Sequence, residues 1–358
     1  MLDSQQKNNL IDIGTELVTD KAAMRVVLNT AGINKTKIDL NGAPAEFWEN
    51  TLDHVIAEKK INSFLNALVA TYKNRTLQGI LEEIEQSTFE NINNHIRVLI
   101  AERKCVLFLG PEFLTCWDGS RTALFTTFFA EKLAGILTGQ NTYYDKKETS
   151  NLSYMINRYE SNPNRLRGET GIEAEEIYLS GSVVTNYYEQ FFKLNFPLII
   201  NTNPDTVIPD NHPNDCLAGH YDQSNAAYVF DPDEWPDDKT IVYNIFGSFK
   251  SPTSLLFTEK QAVNFARKAY ERQPEIPKKI REIVSENHAL FVGFDFTDWH
   301  FKILFDVLDL KHRQGNYAIV SARERVSEQN KEYYRKHYNL KFSEGTLNSF
   351  LNDIKQRP

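Results

Sequence analysis

The sequence predicts an α/β protein, in which an N-terminal all-α helical bundle is followed by a Rossmann-like domain built on a parallel sheet. In roughly the first 80 residues, apolar side chains recur at helical spacing and no strand-like alternation is present. From Lys104 onward, short apolar runs alternate with longer helical stretches, which is typical of a parallel sheet covered by helices on both faces. We therefore predict a helical domain at 1–84, a linker at 85–94 and a Rossmann-type domain at 95–358.

The N-terminal domain is predicted from the apolar faces of its helices. In an early helix Met24, Val27 and Leu28 share one face, and Gly32 is placed to end it. A polar, acidic helix later leads through the predicted linker toward the second domain. Two further helices are predicted between the early helix and the acidic one, from apolar residues at helical spacing. The first contains Trp48, Leu52, Val55 and Ile56, and the second contains Ile61, Phe64, Leu65, Leu68 and Tyr72.

Five apolar runs in the second domain are predicted as strands of the parallel sheet. Each run is short and continuously apolar, as expected for a strand that is buried on both faces. A candidate capping box formed by Thr258 and Gln261 predicts the start of a helix between the third and fourth runs. The runs lie at 105–110, 197–202, 240–246, 289–294 and 317–321.

The composition favours two globular domains and argues against a general nucleic-acid-binding surface. The chain has 358 residues, which is comfortable for two domains, and 41% of them are apolar, which is enough for a sizeable core. The formal net charge of -8 disfavours a surface for phosphate backbones, which would need clustered Lys and Arg. Nucleic acid is therefore not predicted as a partner.

Cysteine usage and the lack of targeting segments predict a soluble cytoplasmic protein. Cys105, Cys116 and Cys216 include no C-x2-C pair for a structural zinc site, and so sparse a count fits a reducing compartment. The first residues lack the apolar region of a signal peptide, and no apolar run approaches the roughly 20 residues that span a bilayer. We therefore expect no metal and no membrane partner.

Small or polar residues follow four of the five predicted strands. Because the carboxyl ends of parallel strands meet at one edge of the sheet, we expect them to form a pocket for a polar ligand with a ribose and phosphates. Glycines let the backbone approach phosphate oxygens. In the alternative interpretation these are ordinary turns, in which Asn and Asp side chains bond to their own backbone around Pro204. The residues are Gly110, Pro111 and Glu112; Thr202, Asn203 and Asp205; Asn244, Gly247 and Ser248; and Gly293 and Asp295.

The order and content of these strand ends resemble the SIR2-like family. That family is marked by a Gly-rich turn after the first strand, a T-T-N-x-D motif, an H-G motif and a late strand that runs into G-[FY]-x-x-x-D. The corresponding segments here read LFLGPEF, NTNPD, YNIFGS and LFVGFDFTDWHFKILF, and the similarity covers residues 95–355. The resemblance implies a Rossmann-like fold that takes NAD as substrate or ligand.

The resemblance also implies roles for individual residues. Asn203 would lie beside the nicotinamide ribose and orient it together with the attacking water, and Asp205 would help to hold that site. Gly110 and the adjoining Pro111 would lie against the dinucleotide phosphates. The other residues implied to bind the dinucleotide are Thr202, Asn244, Gly247, Ser248, Gly293 and Asp295.

Two positions depart from the family pattern. Phe246 stands where the H-G motif has its general base, and phenylalanine cannot accept a proton. Glu112 would place a carboxylate near the expected phosphates. His220 is our first candidate for a replacement catalytic base, because it lies between the second and third motifs, and the alternative is a surface-loop histidine. The other candidates are His300 and His212.

Residues 8–80 resemble effector-associated domains, the death-fold-like helical adaptors of bacterial conflict systems. The matching segments are AGI at 31–33, IDLNG before Trp48, and KINSFLNALVATYKN. The resemblance implies partner proteins that carry a like domain and a homo-oligomer, with contacts made by charged helix faces that include Glu58, Lys59 and Lys60. The alternative is any small helical bundle with a buried Trp.

Two functions from different classes follow. The first is a bacterial defence effector, an NAD glycohydrolase that hydrolyses the nicotinamide–ribose bond and is recruited or oligomerised through its N-terminal domain. The second is a catalytically degenerate SIR2-like protein that binds a nucleotide or acts as a scaffold. A zinc-type deacylase is not expected, because the paired C-x2-C module of that class is absent.

Overall fold

The computed structural model of the chain forms two compact units, Met1–Asn93 and Asn94–Pro358. The described residues contain no helix that is both long and apolar enough to cross a membrane. The structure describes residues 4–58, 60–117, 120–138, 145–161, 169–180, 182–184, 186–225, 228, 230–297, 300–312, 315–320 and 326–355.

The first unit is all-α, as predicted. The Trp48 indole is fully buried, donates a hydrogen bond from its ring nitrogen to the Val18 carbonyl oxygen at 3.2 Å, and packs edge-to-face on Phe64. Leu52 is buried beside them in the same core, so residues from both helices predicted by apolar spacing pack together. The helices are α1 (Ser4–Leu17), α2 (Lys21–Thr30), α3 (Pro44–Ala57) and α4 (Ile61–Tyr72), with a 3-10 turn at Lys35–Lys37. The next helix, α5 (Arg75–Ala101), contains the boundary between the two units.

The second unit contains ten strands among its described residues, arranged in two sheets. They are β1 (Cys105–Leu109), β2 (Thr115–Trp117), β3 (Thr122–Leu124), β4 (Ser182–Val184), β5 (Leu198–Asn201), β6 (Cys216–His220), β7 (Thr240–Asn244), β8 (His288–Val292), β9 (Asn316–Val320) and β10 (Leu340–Glu344). The main sheet has the order β10-β9-β8-β1-β5-β7-β6, and all of its strand pairs are parallel. The strands β3, β2 and β4 form a small antiparallel sheet.

The predicted fold class, a helical region followed by a Rossmann-like parallel sheet with surrounding helices, is confirmed. The five predicted apolar runs form β1, β5, β7, β8 and β9. The two strands of the main sheet that were not predicted, β6 and β10, are its edge strands, and the three strands of the small sheet were not predicted either. At the centre of the core, the Phe291 ring stacks between Phe108 and Phe305, with ring centroids 4.5 and 4.6 Å away.

Helices connect the strands of the main sheet. The predicted capping box is present, because the N–H of Gln261 donates to the Thr258 hydroxyl at 3.3 Å and the Gln261 side chain accepts from the Thr258 N–H at 2.9 Å. The helices of the second unit are α6 (Phe125–Thr138), α7 (Lys146–Thr149), α8 (Leu152–Glu160), α9 (Glu169–Ser180), α10 (Asn186–Phe192), α11 (Val207–Asn211), α12 (Glu259–Glu271), α13 (Lys278–Glu286), α14 (His300–Val307), α15 (Glu328–Tyr338) and α16 (Leu347–Lys355).

Candidate functional site

The carboxyl ends of β8, β1, β5 and β7 lie side by side at one edge of the main sheet. Leu109, at the end of β1, is in register with Asn201 of β5 on one side and with Val292 of β8 on the other. Asn201 is in turn in register with Asn244, the last residue of β7. The four predicted strand ends therefore meet where open parallel sheets bind their ligands.

Side chains of the segment that follows β5 tie it to the end of β1. The Thr202 hydroxyl donates to the Leu109 carbonyl oxygen at 2.7 Å, and Nδ2 of Asn203 donates to the Gly110 carbonyl oxygen at 2.8 Å. Oδ1 of Asn201 accepts the backbone N–H of Asn203 at 3.0 Å, which is an Asx-type turn. The segment thus combines the local turn of the alternative interpretation with bonds to the neighbouring strand.

Asp205 is almost completely buried, and neutral groups bond to both oxygens of its carboxylate. Oδ2 accepts hydrogen bonds from the Tyr188 hydroxyl at 2.7 Å and from Nδ2 of Asn201 at 3.2 Å, and Oδ1 accepts the N–H of Val207 at 3.0 Å. Burial raises the pKa of Asp205, and these bonds oppose that rise because they favour the ionised form. The backbone oxygen of Asp205 also accepts from Nδ2 of Asn244 at 2.8 Å. Asp205 therefore holds the segment after β5 in place through buried hydrogen bonds.

The ends of β1 and β8 approach each other closely through two glycines. The N–H of Gly110 donates to the Val292 carbonyl oxygen at 2.8 Å, and the N–H of Glu112 donates to the Gly293 carbonyl oxygen at 3.2 Å. A Cβ at position 110 would overlap that Gly293 oxygen and would lie 2.8 Å from the Phe294 ring. Gly293 has a φ of +74°, a left-handed conformation that glycine adopts without steric cost. Backbone geometry therefore requires glycine at both positions.

A pocket with a volume of about 490 Å³ opens at this edge. Small-molecule sites commonly have volumes of roughly 300–1,000 Å³, so this pocket is large enough for a nucleotide-sized ligand. Four of the predicted residues line it, namely Pro111, Thr202, Asn203 and Asp295, together with Glu112. The other polar residues of the lining are Thr126, Asn151, Ser153, Thr258 and Glu259.

Aromatic side chains supply a large part of the remaining wall. Phe246, which the sequence resemblance places at the position of the family histidine, lines the pocket and packs edge-to-face on Phe265, with ring centroids 5.4 Å apart. The other aromatic lining residues are Phe125, Phe257, Phe265 and Phe301. Within the described part of the chain, no histidine, lysine or arginine lines the pocket. A charged side chain in the described lining that could act as a general base or stabilise a positive charge must therefore be one of its carboxylates.

The other predicted residues are not among the described residues of the pocket lining. The backbone N–H of Ser248, for example, donates a hydrogen bond to the Ser254 hydroxyl at 3.0 Å rather than to a ligand. Asp295 does line the pocket, and its Oδ1 accepts bonds from the N–H and the hydroxyl of Thr297 at 2.8 and 2.6 Å. The predicted residues outside the described lining are Gly110, Asp205, His220, Asn244, Gly247, Ser248 and Gly293.

His220 ends β6 and is separated from β5 by β7. It is in register with Asn244, and its ring stacks on Tyr228 with centroids 4.2 Å apart. Its Nε2 lies 4.0 Å from Oδ2 of Asp222 and has no hydrogen-bond partner among the described residues. Burial lowers the pKa of His220, and the nearby Asp222 carboxylate opposes that change. The neutral form of the His220 imidazole is therefore favoured. Its strand, β6, is the edge strand next to β7, which carries Asn244.

The two other candidate histidines have different surroundings. His212 follows α11, its Nε2 lies 2.7 Å from the Glu189 carboxylate, and its ring stacks on Phe192 with centroids 4.2 Å apart. His212 is not among the described lining residues. His300 begins α14, and its side chain lies outside the described residues.

Several residues that shape the site were not predicted from the sequence. Tyr188 of α10 bonds to Asp205, although nothing in the segment NYYEQFF signals that role. Asn151 and Thr258 are the N-cap residues of α8 and α12, and both line the pocket. The capping box at Thr258 was a usable signal, because helix N-termini attract anionic groups. Asn201, the last residue of β5, links Asp205 to Asn203.

The lining has the chemistry to hold a nucleotide. Aromatic rings can stack on a planar base, and amide and carboxylate oxygens can accept hydrogen bonds from ribose hydroxyls. The N-cap residues of α8 and α12 line the pocket, and helix N-termini are favourable positions for phosphate groups. In the described part of the chain, no three His, Cys, Asp or Glu side chains come together as a metal site requires.

Comparison with known proteins supports this interpretation of the site. No curated protein was found to match the chain. The family model described as the SIR2-like domain matches residues 197–343, a stretch that begins at β5 and contains the pocket residues Thr202, Asn203 and Phe246. This part of the chain is thus similar to a SIR2-like domain, which points to a nucleotide-related function.

Proposed function

We propose that the second unit binds NAD in the pocket at the carboxyl edge of its main sheet. One observation carries this proposal: Asn203, Thr202 and Asp295, from the ends of two different strands, line a single pocket of about 490 Å³. The match to a SIR2-like domain over residues 197–343 supports a nucleotide as the ligand. The sequence resemblance narrows that ligand to NAD.

In this proposal, different residues of the pocket bind different parts of the dinucleotide. Asn203 and Thr202 are the groups for the nicotinamide ribose, and Asp295 is the acceptor for the hydroxyls of the adenosine ribose. Phe246 and Phe125 supply aromatic faces for a planar ring. Because no cationic side chain is among the described lining residues, backbone N–H groups at helix N-termini hold the phosphates.

The second candidate function is NAD glycohydrolase activity, and Glu112 is the observation that favours it. In this reaction the bond between nicotinamide and the ribose breaks, water adds to the ribose carbon, and ADP-ribose, nicotinamide and a proton are released. A carboxylate beside the ribose can stabilise the positive charge of the oxocarbenium-like transition state. Glu112 lines the same pocket as Asn203, whereas Phe246 cannot accept a proton. In this candidate Glu112 replaces the family histidine.

The first unit serves as a protein–protein adaptor in this proposal, and the whole chain as a bacterial defence effector that is recruited or oligomerised through it. The supporting observation is a complete core around Trp48, which gives the bundle its own stability. Lys60 donates to the Gly32 carbonyl oxygen at 2.8 Å and lies 3.8 Å from Glu58, so these two charges also serve the bundle itself. Lys59 lies outside the described residues.

The experiment that tests the main proposal is calorimetric titration of the full-length protein with NAD, alongside the Asn203→Ala and Asn330→Ala variants. Binding that is strongly weakened in the Asn203 variant and kept in the other supports the proposal, because Asn330, in the first turn of α15, is not among the described lining residues. Absence of binding in the wild-type protein contradicts it. Nicotinamide release, measured on the same samples and on Glu112→Gln, decides between binding alone and hydrolysis.

A further inference from the structure

A continuous set of buried hydrogen bonds runs from Tyr188 to Asn203. The Tyr188 hydroxyl donates to Oδ2 of Asp205, and Nδ2 of Asn201 donates to the same oxygen. Oδ1 of Asn201 then accepts from the backbone N–H of Asn203 at 3.0 Å and from its Nδ2 at 3.2 Å. All four side chains are at most 5% exposed. Their orientations are therefore fixed by one another rather than by solvent.

The bonds leave one polar atom of Asn203 for a ligand. Its Nδ2 carries two hydrogens, which point to the carbonyl oxygen of Gly110 at 2.8 Å and to Oδ1 of Asn201 at 3.2 Å. An amide group has two donor hydrogens and one acceptor oxygen. With both hydrogens committed, Oδ1 is the group that Asn203 can offer to the pocket it lines.

Tyr188 is placed to fix this orientation. Its ring is buried and packs edge-to-face on Phe113, with centroids 5.6 Å apart, so the hydroxyl has little freedom to move. The side chain of Asn203 also lies close enough to oppose the rise in the pKa of Tyr188 that burial and Asp205 cause. The Tyr188 hydroxyl therefore bonds directly to Asp205, which is connected to Asn203 through Asn201.

We propose that Tyr188 is a positioning residue, which holds Asp205 and Asn203 so that Asn203 presents its carbonyl oxygen to a hydroxyl of the ligand. This inference rests on the proposed NAD-binding function and specifies its chemistry. The ligand group at Asn203 is a hydrogen-bond donor, such as a ribose hydroxyl, and not an acceptor such as a phosphate oxygen. Tyr188 has no contact with the ligand and acts through Asn203.

The test compares Tyr188→Phe with Tyr187→Phe in the full-length protein. Tyr187 is the matched control, because it is on the same helix and its ring also contacts Phe113 edge-to-face, at 6.3 Å. We expect Tyr188→Phe to weaken NAD binding by on the order of tenfold, which corresponds to ~1.4 kcal/mol, and Tyr187→Phe to change it by less than about twofold. Thermal unfolding of each variant separates this effect from loss of the fold.

A double-mutant cycle tests whether Tyr188 acts through Asn203. Tyr188→Phe should cause no further loss of affinity in the Asn203→Ala background, since the group that it positions is already absent. Equal affinities of the two tyrosine variants, or losses that add fully in the double variant, would overturn the positioning role. Affinity retained by Asn203→Ala would instead refute the proposed function at this residue.

The pH dependence of binding is a readout that a purely structural role would not move. The Tyr188 hydrogen bond lowers the pKa of Asp205, so its removal raises that pKa and the acidic loss of affinity should begin at higher pH in Tyr188→Phe. Among the described residues, Tyr188 of α10 and Tyr178 of α9 are the titratable groups that interact with Asp205, and Asp210 acts in turn on Tyr178. If the affinity for NAD falls over the same acidic pH range in wild type and variant, the inference is contradicted.

A measurement without ligand keeps the inference testable even where NAD does not bind. The side-chain NH₂ resonances of Asn203 can be assigned by their disappearance in Asn203→Ala. In Tyr188→Phe they should shift and exchange faster with solvent than in Tyr187→Phe, because Asp205 no longer holds Asn201 in place. Unchanged resonances would overturn the positioning role, whatever the result of the titration with NAD.

Discussion

Gly110, at the end of β1, lies directly against the carbonyl oxygen of Gly293, at the end of β8. This contact joins the two central strands of the sheet at the rim of the pocket. Because the Gly110 carbonyl oxygen also accepts the bond from Nδ2 of Asn203, the glycine pair and the segment after β5 form one connected structure. The contribution of this contact to stability can be tested by adding a single methyl group at position 110.

We expect Gly110→Ala to lower the free energy of unfolding of the second unit by about 1–3 kcal/mol, because the added Cβ overlaps backbone that cannot move freely. Gly135→Ala is the matched control. Gly135 is exposed in the interior of α6 with no atom near its Cβ position, so alanine there should stabilise the helix by roughly 0.5–1 kcal/mol. Chemical denaturation of both variants gives the comparison, and equal stabilities would contradict the predicted overlap.

Phe246→His should introduce or increase nicotinamide release. The substitution places an imidazole in the pocket lining at the position where the family has its general base. Phe246→Leu, which alters the same wall without adding a proton acceptor, is the control. The measurement is nicotinamide formed from NAD over a series of protein concentrations. Release by the wild type that equals that of the histidine variant would show that Phe246 does not limit the reaction.

The stability of the protein should depend on His220 at acidic pH. Burial lowers the pKa of His220 in the folded protein, so the unfolded chain takes up a proton first as the pH falls below about 6.5. The stability that His220 contributes is present above that pH and is lost as the pH falls toward the folded-state pKa. His220→Gln should therefore gain stability relative to wild type on going from pH 8 to pH 5.

The control for this experiment is His337→Gln, which changes an exposed histidine in α15. It should leave the pH dependence of the unfolding free energy close to that of the wild type. Stability curves of the His220 variant and the wild type that run parallel from pH 8 to pH 5 would refute the expectation.

Trp48→Ala should destabilise the first unit by about 3–5 kcal/mol, because the indole is fully buried and its removal leaves a cavity and an unpaired Val18 carbonyl oxygen. Val26→Ala, at a residue of α2 that is 58% exposed, should change stability by no more than about 0.5 kcal/mol. Hydrogen exchange of backbone amides within residues 4–72 reports on this unit. Protection that survives in Trp48→Ala would argue against the described core.

The sequence predicted the interior of the main sheet better than its edges, for a physical reason. Strands buried on both faces, such as β1 and β8, must be continuously apolar, and such runs are easily seen. The edge strands read CLAGH and LKFSE, and each has partly or fully exposed positions. Their stability comes from pairing with a neighbouring strand, which a local pattern does not reveal.

Prediction of the site divides in a similar way. Thr202 and Asn203 could be found because they directly follow a recognisable strand, and both line the pocket. Tyr188, Asn151 and Thr258 lie on other elements and reach the site only through the tertiary fold. The assignment of His220 as a base remains a prediction, because chain order between two motifs says little about distance across the sheet.

The order of strands in the main sheet also has a consequence for synthesis of the chain on the ribosome. β1 pairs with β5 and β8, and β8 ends only at Val292. At a synthesis rate of ~5–20 residues per second, β1 emerges on the order of 10–40 s before its second partner exists. The first unit can complete its core during that interval, whereas the apolar surface of β1 has to be shielded from other nascent chains until translation reaches β8.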